Sequence, residues 1–122
     1  MKNDKYLKKI QELSQTNLGI SIRKLTVASI DIYILNIAEI CDKDSISNNI
    51  IKPLLQYNKN EILTIETIAN SVIYINSISM DCNENIIIDY ILKGKALIVI
   101  PNEEQYIIAD TLQASKSFYR FF

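Results

Sequence analysis

A chain of 122 residues, 48% of them apolar, is long enough for one core and too short for two ordinary domains, and the same apolar fraction argues against disorder. Thirteen basic and fourteen acidic residues leave a net charge of −1 with no basic block, so nucleic acid is not an expected partner. Histidine is absent, which removes the usual general base near neutral pH, the His-paired nucleophiles and the commonest metal ligand; neither an enzyme nor a cofactor is expected.

The N-terminal segment KNDKYLKKIQEL is charged throughout and places Tyr6, Ile10 and Leu13 on one helical face, which predicts an amphipathic helix and no export signal. Asn17 and Gly19 interrupt it. Residues 20–27 (ISIRKLTV) and 30–37 (IDIYILNI) are rich in β-branched residues and predict a hairpin with a tight turn at Ala28 and Ser29. The second strand becomes apolar on both faces, as an inner strand covered on both sides does. In the first, the apolar phase of Ile20 and Ile22 resumes out of step at Leu25 and Val27, which predicts a bulge at Arg23 and Lys24.

From Asp44 to about Tyr57, Ile46, Ile50, Ile51, Leu54 and Leu55 form a helical stripe, with Asp42 or Asp44 as N-cap and Pro53 as a kink or restart. Residues 61–72 predict a third helix carrying Ile62, Ile65, Ile68, Ala69 and Val72, and residues 73–78 a short strand. Asp81 and Glu84 have capping-box spacing at the head of a fourth helix, which Gly94 ends in a left-handed C′ position. Residues 96–100 (ALIVI) and 105–110 (QYIIAD) predict a second hairpin across Pro101 and Asn102. The most apolar tract, 86–100, is broken by Asp89, Lys93, Gly94 and Lys95 and does not read as a membrane span. The pattern predicts a single α/β domain over 1–122: a mixed sheet built from two hairpins, with helices packed on it.

Three segments, in order, resemble the N-terminal region of the GerA spore germination family. The first runs from ISIRKL to IIKPLLQ, with Arg23 on a strand, Asp42 in an acidic turn and Lys52, Pro53 and Leu54 in a helix. The second is YILKGKALIVI, with Gly94 and Lys95 between helix and strand; the third is SKSFYR, with Ser117 and Arg120. Two turns depart from the family pattern: Asn36, Ile37, Ala38 and Glu39 stand where it has Tyr-Ile-Asp-Gly, and Pro101 and Asn102 replace Asp-Gly. Glycine tolerates a positive φ and proline does not, so these loops are expected to be built differently.

The resemblance implies the A subunit of a spore germinant receptor, a membrane protein working with a transporter-like B subunit and a lipoprotein C subunit. This chain would be the first of two soluble subdomains ahead of several spans of a longer protein in the spore inner membrane, on the spore-core side. It implies a non-catalytic module for receptor assembly and nutrient signalling, with self-association of A subunits as a further contact. The alternative is a half-domain for a small-molecule germinant, its pocket completed by the second subdomain.

Most of the marked residues also have plain structural readings. Arg23 and Lys24 suit a subunit contact through an arginine fork or a solvated strand edge. Lys52-Pro53-Leu54 suits a docking surface or a reoriented helix. Gly94-Lys95 has too few glycines, in the wrong order, for a phosphate loop. Asp42, Asp44, Asp81, Glu84 and Asp89 read as caps and solvated charges. Cys41 and Cys82 lack CxxC spacing and read as two buried free thiols, and the seven tyrosines as core-rim residues with wet hydroxyls.

Overall fold

The computed structural model describes residues 4–112. Helix α1 (Asp4–Ser14) is followed by strands β1 (Ile20–Val27) and β2 (Ile30–Ile37). Helix α2 comprises an α-helical turn Lys43–Ile46, a π-helical turn Ser47–Ile51 and a last α-helical turn Lys52–Leu55. Helix α3 is Ile65–Thr67 continued by a π-helical turn Ile68–Val72. Strand β3 (Ile78–Asp81) leads through a 3-10 turn, Glu84–Ile86, into α4 (Ile87–Leu92), and β4 (Lys95–Val99) and β5 (Tyr106–Asp110) follow.

The described strands form one sheet in the order β1-β2-β4-β5-β3. The α/β domain is as expected, but every pairing is antiparallel and the sheet is not mixed. The reason is local. Two hairpins meet side by side through β2 and β4, and β3 joins the far edge against β5, so no parallel crossover is needed.

Side chains alternate between two cores. One face of the sheet, with Ile32, Ile34, Ala96, Ile98, Ile107 and Ala109, is covered by Ile46, Ile50 and Leu54 of α2 and Ile65, Ile68 and Val72 of α3. The other, with Leu35, Ile37, Leu97, Val99, Tyr106 and Ile108, is covered by Tyr6, Ile10 and Leu13 of α1 and Ile87 and Ile91 of α4. Strands buried on both faces must be apolar at every position, which is why ALIVI lacks alternation.

This arrangement corrects the expected bulge. The β1–β2 register is unbroken from Ile20↔Ile37 to Val27↔Ile30. Ile20 and Ile22 pack toward α1, whereas Leu25 and Val27 enter the core under α2 and α3. The apolar phase changes because the two ends of an edge strand are covered by different layers, not because a residue is inserted.

Three other local expectations shift. Helix α3 opens at Ile65, because the Thr64 side chain accepts from the Thr67 amide at 3.1 Å, and Ile62 is left 82% exposed in the preceding loop. The predicted strand at 73–78 begins only at Ile78, since Tyr74 is bound to α2 instead. The 3-10 turn that leads into α4 is capped by Asn83, which accepts from the Asn85 amide, and not by Asp81, which still belongs to β3. The Ala28–Ser29 turn is as predicted, with both residues at positive φ (52° and 66°). The departures at residues 36–39 and 101–102 are accommodated without positive φ.

Candidate functional site

Asp42 and Gly94, far apart in sequence, lie on one seam. Asp42 caps α2 by accepting from the amides of Asp44 and Ser45, both at 3.1 Å, and its own amide donates to the Thr111 carbonyl at 2.7 Å. Beside it Cys41 bridges to Leu112, and the Thr111 hydroxyl donates to the Gly94 carbonyl at 3.1 Å. The Cys41 thiol lies 3.4 Å from both that carbonyl and the Thr111 hydroxyl. Gly94 has φ +87°, and a Cβ there would collide with the Leu112 side chain, whose own Cβ would be 3.2 Å away. The roles these atoms play are structural: they close the end of the sheet. Thr111, 2% exposed, was not marked in the sequence because only the fold brings it to Gly94. Lys95 pairs across the β4–β5 ladder with Asp110, at 3.4 Å.

Arg23 lies elsewhere. It projects from β1 on the α2 side, into a groove of about 190 Å³ shared with Lys43, Ser21 and Asn36 over a floor of Ile34 and Ile46. Lys52, Pro53 and Leu54 divide their tasks: Lys52 is exposed, Leu54 is fully buried, and Pro53 lines an open cleft of about 420 Å³ with Tyr57, Lys59 and Tyr74 between α2 and α3. Ser117 and Arg120 lie outside the described residues.

A tyrosine network, which sequence reasoning missed, locks α1 to the opposite end of the sheet. The Tyr6 hydroxyl donates to the carbonyl of Glu104 and approaches that of Cys82 at 3.4 Å, and the Tyr106 hydroxyl donates to the Asn83 carbonyl at 2.8 Å. The rings of Tyr6 and Tyr106 meet edge to face, 5.7 Å between centroids. Burial, reinforced by nearby acidic groups, pushes the Tyr6 hydroxyl up to about 12 and raises that of Tyr106 further. These two hydroxyls bond to backbone carbonyls, so for them the expected wet rim is corrected. Tyr90 donates to Asp81 at 2.9 Å, which lowers the carboxyl's pKa and raises the phenol's. Cys82 is exposed, against the expectation of two buried thiols, because it sits in the loop leaving the edge strand β3.

Among the described residues no three His, Cys, Asp or Glu side chains cluster as metal ligands, and no helix is long and apolar enough to cross a membrane. The family model described as Bacillus/Clostridium GerA spore germination protein matches residues 7–117. The chain belongs to this family. No curated protein matches it in sequence. Among solved structures it is similar to the N-terminal domain of the A subunit of the Bacillus megaterium spore germinant receptor GerK3, with 17% identity and a TM-score of 0.59 over 87% of this chain and 89% of that one. At that identity the likeness is one of fold. The GerA-family domain thus has the three-layer α/β architecture of that receptor domain.

Proposed function

We propose that this GerA-family domain is the first soluble subdomain of a germinant receptor A subunit, a non-catalytic module that helps assemble the receptor and passes the nutrient signal to its membrane part. The observation that carries this reading is the family match along 7–117, supported by a fold shared with the A-subunit domain of GerK3. A chain without histidine, whose marked residues Asp42, Gly94 and Lys95 serve caps, seams and ladder pairs, suits contact better than bond chemistry. The full protein on this reading sits in the spore inner membrane beside B- and C-type subunits, with this domain on the core side. Deleting the domain from the receptor tests it. Spores should lose the nutrient response and the other subunits should no longer co-purify; a normal nutrient response overturns the reading.

A second reading, a germinant-binding half-domain, has one observation in its favour: the cleft between α2 and α3, lined by Pro53, Tyr57 and Tyr74, is open and of a small-molecule site's size, about 420 Å³. A two-subdomain protein titrated with nutrients should then show a rising melting temperature, and an unchanged one for every nutrient removes this reading.

A further inference from the structure

β1 is an edge strand of eight residues, in register with β2 along its whole length, with neither a bulge nor a proline to blunt it. Its outer row of backbone donors and acceptors has no strand partner among the described residues, and such an edge is a template for an extended chain. Charge narrows what that chain is. Two copies of β1 paired antiparallel about their midpoint would set Arg23 against Lys24 of the other copy, like charge opposite like charge. A second copy in that arrangement is disfavoured, and an acidic segment is favoured.

The groove beside this edge offers further groups to a ligand. Asn36 of β2, opposite Ser21, lines the groove and is 8% exposed as a residue; no buried side-chain N or O among the described residues lacks a partner, so its free amide atoms are those that solvent reaches from the groove. Thr111, the other buried polar residue among the described ones, is engaged in the seam. The Asn36 amide is therefore free to engage a group that enters the groove. Arg23 and Lys43 border the same groove, and among the described residues neither is in an ion pair. Two cations, a carboxamide donor and an apolar floor of Ile34 and Ile46 form a receptacle for a carboxylate on a short aliphatic stem.

We propose that the β1 edge docks an extended acidic segment of a partner protein, which adds a strand to the sheet and lodges a glutamate or aspartate carboxylate against Arg23, Lys43 and Asn36. This deepens the receptor reading, which it rests on only for the partner's origin, another receptor subunit. The docking itself is read on this chain alone.

The probe is an acetylated and amidated peptide alternating threonine and glutamate, as long as β1, titrated into the labelled 122-residue chain and followed by NMR. The expected result is a shift of the Asn36 side-chain amide together with slowed exchange of β1's outward amides, and affinity about tenfold weaker in Arg23→Gln, as the loss of a charge-assisted hydrogen bond predicts. Equal binding by the glutamine counterpart of the peptide, or the same Asn36 shift from free glutamate at equal concentration, overturns the proposal. Asn36→Val supplies a separate readout: with docking as the reason for the amide, this variant melts higher and binds the peptide more weakly. A lower melting temperature gives Asn36 a purely structural role and overturns it. Failure of peptide binding with nutrient germination still dependent on the domain removes the docking and keeps the receptor reading. Peptide binding in a receptor whose germination ignores the domain does the reverse.

Discussion

The amide of Tyr74 donates to the carbonyl of Asn49 at 2.9 Å, and in a regular helix that carbonyl would serve the residue four places on, which is Pro53 and has no N–H to give. The proline therefore leaves open an acceptor on α2 that holds the exit of α3. The π-helical turn Ser47–Ile51, with the Lys52 amide donating to Ser47, widens the helix just ahead of the proline. Replacing Pro53 by Ala restores a competing donor, and the Tyr74 amide should exchange with solvent about fivefold faster, as the loss of one net hydrogen bond predicts. Hydrogen exchange measured by NMR checks this, and an unchanged Tyr74 rate removes the role assigned to Pro53.

Gly94→Ala should destabilise the domain by at least about 1 kcal/mol, since it combines a left-handed backbone with a collision against Leu112. Urea unfolding measures it. A combined Gly94→Ala, Leu112→Ala chain should recover the part of the loss due to the Leu112 Cδ1 collision and leave the part due to φ and to the close contact with the Cβ of residue 112.

The Ala28–Ser29 turn holds two side-chain-bearing residues at positive φ, a conformation that costs roughly 1 kcal/mol or more per residue and that Asn-Gly adopts readily. Ala28→Asn with Ser29→Gly should raise stability by about 1 kcal/mol without altering the β1–β2 register. Thermal unfolding reads the gain, and cross-strand NMR contacts between Leu25 and Ile32 verify the register.

Tyr6 links stability to alkaline pH. Its pKa is raised from 10.0 to about 12, so the folded state holds the proton more tightly than the unfolded chain; the contribution is whole below pH 10 and is lost as pH rises through about 12. Tyr6→Phe should cost about 1 kcal/mol at neutral pH through the missing hydrogen bond to the Glu104 carbonyl, and its deficit should shrink above pH 10. Urea unfolding at neutral and alkaline pH tests this; a deficit that stays constant contradicts the buried, neutral hydroxyl.

Much of the fold was legible because its signals are local. Tyr6, Ile10 and Leu13 announce α1 by spacing, Ala28 and Ser29 separate two strands of matched length, Asp42 caps α2, and Gly94 ends α4 with the positive φ expected of it. What was not legible depends on which layer covers a residue. Leu25 and Val27 looked like a slipped register because nothing in β1 itself says that its two ends face different helices. Ile62 looked like a helical position because it keeps the spacing of Ile65 and Ile68, and only the Thr64 cap shows that the helix has not yet begun. The same limit applies to the groove: Arg23 was marked, but Lys43 and Asn36 became its companions only when α2 was laid across β2.

The seam at Asp42, Gly94 and Thr111 has one more consequence, a kinetic one. The two thiols of the chain lie in opposite surroundings, Cys41 2% exposed within the seam and Cys82 open to solvent. A thiol reagent meets Cys82 at once, but reaches Cys41 only in those moments when the end of the sheet parts from α2. The ratio of the two labelling rates is therefore a built-in clock for the opening of the domain, readable without adding a probe to the chain.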